Sequence, residues 1–350
     1  MKGTAINILT AFLIAIAFFI FLFSISFSFL PTDIEAEKLE VRVDTYSMEN
    51  ALRAAKIYLD TGFRFSAYQA MHDTGANGGW DAIPQESLYA SGKAFAIWSD
   101  KGNDTSPAEE QLEGELAKAM ARRVGEYRGN GFRFLNDYEV RLPPYKEVRA
   151  EFTGNDIAVS AVAENRLSIG KTSGDGNRTA MIEKSGDLKD SFSYPYLALF
   201  REAKRINSES GPAIATETQR IIEAAGYPKT FHGTADQTCE EAFTKITGRN
   251  YLSAGQELGR RIAESGAIGK VPLSQEYVTE SLVLSSEVEI IEASSSKNNL
   301  KNELDCEVQY RKDVAVMAGV SDGDESRRVP VYDGGKTTFA PLGFSFVMKA

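Results

Sequence analysis

Two cysteines and two histidines carry most of the reactive chemistry this sequence can offer. Cys239 and Cys306 form an even pair, and in an oxidising compartment an even pair permits one disulfide. Closing a loop of about 67 residues would contribute about 4 kcal/mol on the chain-entropy view. Two buried free thiols are the alternative. A zinc site is not expected, because no paired Cys or His spacing accompanies them. His232 precedes Cys239 and lies near Asp236, Glu240 and Glu241. A Cys–His nucleophile pair would need hydrogen-bond reach between the two side chains, and a disulfide at Cys239 would abolish it. His72, followed by Asp73, stands at a predicted helix end, where the dipole favours a histidine.

Other motifs carry less. Gly334-Gly335-Lys336-Thr337 ends like a phosphate-binding loop, but Pro330 stands where the pattern needs glycine and no helix pattern follows, so a hairpin turn is the better reading. Asp322-Gly323-Asp324-Glu325 clusters three carboxylates without calcium-loop spacing and reads as a solvated turn. Asn103-Asp104-Thr105 and Asn177-Arg178-Thr179 match the N-glycosylation tripeptide, which makes Asn103 and Asn177 acceptor candidates. The glycine-rich stretch 75–80 reads as a structural loop anchored by Trp80, with a binding loop as the alternative. No catalytic motif is present, so the expectation is a protein that is not an enzyme, with no cofactor and no metal.

The element expected to position everything else is the run at residues 8–30, ILTAFLIAIAFFIFLFSISFSFL, which has no charge, glycine or proline. At about 1.5 Å per residue it is long enough to cross a bilayer core of about 30 Å. Lys2 precedes it, and Asp33, Glu35 and Glu37 follow it. That asymmetry keeps the N-terminus in the cytoplasm and puts the rest of the chain outside, in a single-pass arrangement. Three readings compete: a cleavable secretory signal with a site near Ser26-Phe27-Ser28, a plain signal anchor, and a third that rests on Lys2-Gly3-Thr4-Ala5. A basic residue and a glycine directly ahead of a long apolar helix resemble the class III signal of archaeal type IV pilins and flagellins. That resemblance covers the first 30 or so residues. It implies processing after Lys2-Gly3, a mature chain beginning at Thr4, and partners among pilin-like subunits, with a place in a surface filament. Ile8 stands where bacterial pilins carry glutamate, and Pro31 and Asp33 interrupt the region where a pilin stalk continues. These departures point to a pilin-like membrane or accessory protein rather than a major filament subunit.

Over the whole chain the composition is that of an ordinary globular protein, 43% hydrophobic and 25% charged, with a net charge of −10. That balance argues against nucleic acid and against docking on anionic lipid. Residues 31–46 read as a connector with a brief extended arm at 39–43. Helical spacing is expected over 47–73 and 107–127, the second with a Leu112, Leu116, Met120, Val124 stripe for packing on the first. Period-two patterns follow at 138–142, 147–152, 157–162 and 167–169. Helices are expected at 197–206, 213–225, 239–246 and 254–264, the first two separated by Gly211-Pro212. Strand patterns return at 282–284, 288–291, 306–310 and 343–347.

Blocks of helices and strands favour α+β over a doubly wound sheet. The expected fold class is therefore a single N-terminal transmembrane helix followed by an extracellular α+β ectodomain of helix blocks and antiparallel strands. The expected division is 1–31, 32–190 and 191–350. The expected function is a membrane-anchored extracellular structural or assembly protein, pilin-like and without catalysis. It would contact the lipid bilayer through residues 8–30 and associate with itself or with other subunits. The alternative is an extracellular binding or sensing module on a plain anchor.

Overall fold

The computed structural model describes residues 33–90, 92–128, 132–134, 138–172, 178–298, 300–333 and 336–350. In chain order, α1 (Asp33–Ala76) leads to β1 (Ser87–Ala90), β2 (Lys93–Asp100) and β3 (Asn103–Asp104), then α2 (Glu109–Arg128). A run of strands follows: β4 (Phe132–Phe134), β5 (Tyr138–Arg141), β6 (Tyr145–Thr153), β7 (Asp156–Ala163), β8 (Leu167–Thr172), β9 (Arg178–Lys184) and β10 (Leu188–Ser193). Next come α3 (Tyr196–Ala224), β11 (Thr230–Thr234), α4 (Cys239–Thr247) and α5 (Tyr251–Glu264). The chain closes with β12 (Val278–Asn298), β13 (Glu303–Ser321), a 3₁₀ turn at Glu325–Arg327, β14 (Val329–Asp333), β15 (Lys336–Ala340) and β16 (Gly343–Lys349).

The expected fold class needs correction. Among the described residues no helix is long and apolar enough to cross a membrane. The physical reason is visible in α1, which is 44 residues long but carries charged residues from Asp33 to Asp73. Residues 8–30, on which the membrane expectation rested, lie outside the described residues, as do Lys2, Gly3 and Asn177. What the structure does show is combined helix and strand content. The strands are not purely antiparallel blocks either: β16 pairs with β2 in parallel, a contact made across most of the sequence.

Two compact units divide the chain. The first takes in residues up to Lys56 with Gly131–Arg141 and Leu167–Lys184. Its sheet runs β4-β5-β8-β9, antiparallel throughout. Met48, Ala51, Leu52 and Ala55 of α1, with Val140, Leu167 and Ile169, are buried. Helix α1 includes the stretch read as an extended arm. Extending a formed helix avoids the cost of a new nucleus, so the short alternation at 39–43 does not win.

The second unit holds a seven-stranded sheet, the three-stranded sheet β10-β7-β6 and the β14-β15 ribbon. Strand β13 organises the large sheet. It pairs with β12 along its length, with β16 through Ala315–Ser321, and with β11 through Glu303–Glu307. Helix α3 packs across β16 and β13. Beneath it lies an aromatic core: Trp98 stacks on Phe346 at a centroid distance of 4.3 Å and meets Phe200 edge-on at 5.7 Å. Phe344 lies 4.9 Å from Tyr196 and 5.3 Å from Phe200. The Trp98 indole N–H donates to the Gly78 carbonyl at 2.8 Å, so Trp98, not Trp80, anchors the glycine-rich loop after α1.

Helix α3 runs unbroken through Gly211-Pro212, where two helices were expected. Proline removes the bond to the Ser208 carbonyl, but Ser208 and Pro212 are both exposed, so water can satisfy that group. Gly211 faces inward, and a Cβ there would stand 2.5 Å from the Ser99 hydroxyl of β2. In α2 the expected stripe of Leu112, Leu116, Met120 and Val124 is buried. That helix lies on β6 and is tied to α1 at side-chain level by Arg123 to Asp73 and by the Tyr58 hydroxyl to the Tyr127 carbonyl.

Candidate functional site

The sequence-predicted cysteines and His232 converge at the end of the large sheet where β11, β12 and β13 run together. Helix α4 begins there for local reasons. Thr238 accepts from the Glu241 amide and the Glu241 carboxylate accepts from the Thr238 amide, at 3.2 and 2.7 Å, a reciprocal capping box. Gly248, in the left-handed region at φ 73°, ends the helix. The Asn250 side chain then caps α5 by accepting from the Ser253 amide at 2.8 Å.

Cys239, the first residue of α4, is joined to Cys306 of β13 in a disulfide, with both residues buried. The bond staples the α4–α5 hairpin to the sheet across a sequence separation of 67. It also settles the chemistry at Cys239: a bonded sulfur offers no thiolate, and the Cys–His nucleophile pair does not form. His232 turns elsewhere. Its register partner across β11 and β13 is Asp305, and the imidazole Nδ1 stands 2.6 Å from that carboxylate on an exposed face.

Helix α5 is held to the sheet by an arrangement the sequence analysis missed. Gly255 faces the Val288 carbonyl oxygen and Gly259 the Ser286 carbonyl oxygen of β12. A Cβ at Gly255 would collide with backbone, and one at Gly259 would stand 2.5 Å from its oxygen. Glycine at this spacing of four puts two bare positions on one helix face, so the helix backbone can approach the strand edge. The signal in the sequence is Gly255-Gln256-Glu257-Leu258-Gly259, two glycines at helical spacing four. Strand β12 carries irregularities between Val283 and Ser285 and between Glu292 and Ser294, and among the described residues it has no strand partner beyond β13. The helix covers the edge that would otherwise be exposed at Ser286–Val288.

Beside this seat lies a half-open groove of about 890 Å³ between α5 and the β12–β13 ribbon. Its walls carry Glu240, Glu287, Glu289 and Asp313 against Arg260 and Arg311. The arginines are engaged: Arg260 by Glu257 and Glu264 on its own helix, Arg311 by Glu289 at 3.4 Å. Hydrogen bonds from Arg260 and Arg261 pull the Glu257 carboxyl down to about 2. Burial, then the fields of Glu292 and Glu240, push the Tyr251 phenol up to about 12. Glu240 also accepts from the Tyr251 amide at 3.4 Å. Leu252 stands on the rim, 69% exposed. This arrangement suits recognition of a cationic, partly apolar ligand.

The other sequence-predicted positions lie apart. Asn103 is exposed on β3. In the carboxylate turn, Asp322 is buried rather than solvated. It accepts from the Asp324 amide and lies 3.4 Å from Arg327, while Asp324 caps the 3₁₀ turn. Among the described residues no group of three or more metal-ligating side chains converges. Lys336 opens β15, whose pairing with β14 makes a hairpin, while Gly334 and Gly335 lie outside the described residues. His72 Nδ1 lies 3.5 Å from Asp73 near the end of α1. No protein-family model, no curated protein and no solved structure matches this chain.

Proposed function

We propose that this chain is an extracytoplasmic structural or assembly protein of the pilin-like kind, without catalytic activity of its own. The observation that carries this reading is the buried Cys239–Cys306 bond, because such bonds persist in oxidising compartments and are rare in the cytosol. The sequence adds Lys2-Gly3 ahead of the uncharged run 8–30, which resembles a class III processing signal. On this reading, residues 8–30 engage a lipid bilayer or the like segments of other pilin-like subunits, and the acidic remainder stays at the cell surface with Asn103 open to glycosylation.

A second reading, an extracellular binding or sensing module, is favoured by one feature: the groove between α5 and the β12–β13 ribbon. Intact-mass spectrometry of the chain isolated from its native cells, after removal of glycans, separates the two. Loss of the mass of Met1–Gly3 supports the assembly reading, and electron microscopy should then show the protein in or beside filaments. A retained Lys2-Gly3 contradicts the pilin-like reading and leaves the binding module.

A further inference from the structure

The groove beside α5 has a chemistry that names its ligand class. Four carboxylates line it against two guanidiniums, and both guanidiniums already have acidic partners. Asp313 lies 3.5 Å from the Lys349 ammonium. Among the described residues no lysine or arginine pairs with Glu240 or Glu287. Two sets of attachments position the walls. The disulfide ties Cys239, the residue before Glu240, to β13, and the Gly255 and Gly259 contacts hold α5 against β12. A volume of about 890 Å³ is at the upper end of ordinary ligand sites, and Leu252 adds an apolar rim.

We propose that this groove binds a short basic peptide segment of a partner protein, with basic residues of that segment meeting Glu240 and Glu287 and an apolar side chain resting on Leu252. A second copy of this chain is the poorer occupant: at a net charge of −10, two copies repel. An anionic ligand would meet unneutralised carboxylates. The inference goes beyond the assembly reading and stands whether or not the N-terminus is processed.

The test is calorimetric titration of the full-length chain in neutral detergent with three probes. The first is an eight-residue peptide alternating lysine and serine around a central leucine. The second is the same peptide with glutamate for lysine, and the third is spermine. Two double variants carry the same change in charge: Glu240→Gln with Glu287→Gln in the groove, and Glu151→Gln with Asp156→Asn on the exposed β6–β7 hairpin. The lysine peptide should bind, weaken at least tenfold in the groove variant and remain unchanged in the hairpin variant. The glutamate peptide should not bind. Glutamine at 240 still accepts from the Tyr251 amide. Leu252→Ser, at an exposed position, gives an independent check and should weaken the lysine peptide while leaving spermine unaffected. Equal weakening by both double variants, no binding of the lysine peptide, or spermine binding as tightly as the peptide would each overturn the proposal.

Discussion

The two ends of β13 are stabilised in different ways. Through Ala315–Ser321 the strand is flanked by β12 and β16 and covered by α3, and its neighbourhood is filled by Trp98, Phe200, Phe344 and Phe346. Through Glu303–Glu307 it is flanked by β12 and by the five-residue β11, and there a disulfide to the capped start of α4 joins a smaller aromatic cluster in which Phe243 meets Tyr227, Phe231 and Tyr251. The first end relies on buried aromatic area, which is non-directional and tolerates neither cavities nor misfit. The second buries a smaller cluster of Phe231, Phe243 and Leu304 and adds a covalent attachment to it. Where the sheet narrows to the short β11 strand, a covalent bond thus supplements packing.

The sharpest way to break this comparison is at the aromatic end. Trp98→Ala should cost about 3–5 kcal/mol, the lost contacts and cavity being joined by an orphaned Gly78 carbonyl, and should appear as a lower urea midpoint. Between the two ends, where Ser286 pairs with Val314, Gly259→Val should cost about 1–3 kcal/mol through displacement of α5 from the Ser286 carbonyl. A groove variant as damaging as Trp98→Ala would erase the distinction drawn here.

A smaller, pH-dependent effect lies near the end of α1. Burial pushes the Asp73 carboxyl up, but His72, Arg123 and Gln69 more than offset this and hold it below the ordinary range. Its folded pKa is thus lower than its unfolded one. The associated stability is present above the unfolded carboxylate pKa and is lost as pH falls through the folded value. Asp73→Asn should flatten the acid limb of a stability-versus-pH curve below about pH 4, with the groove-end substitutions leaving that limb unchanged. An unchanged acid limb in Asp73→Asn would show that other carboxylates set it.

How much of this was legible in the sequence depended on whether the cause was local. The Leu112–Val124 stripe was legible because spacing alone decides which face is apolar. The Cys239–Cys306 bond was legible as a pairing because there were only two cysteines to pair. Gly211-Pro212 misled because its effect depends on which way the helix faces: a proline on the wet side of α3 costs little, and a glycine on its dry side admits Ser99. The two short strand patterns at 282–284 and 288–291 belong to one 21-residue strand, since its irregularities interrupt the alternation without ending the pairing. The parallel partnership of β2 with β16 and the groove charges join residues far apart in sequence, so no local pattern records them.

The central claim, that a covalent bond at one end of β13 supplements packing that suffices at the other, is tested most directly by amide hydrogen exchange with and without a reductant. Reduction of Cys239–Cys306 should strip protection from β11, α4 and the Glu303–Glu307 part of β13, while amides of α3, β2 and β16 exchange as before. Uniform loss of protection across both ends, or no loss at β11 and α4, would contradict the account.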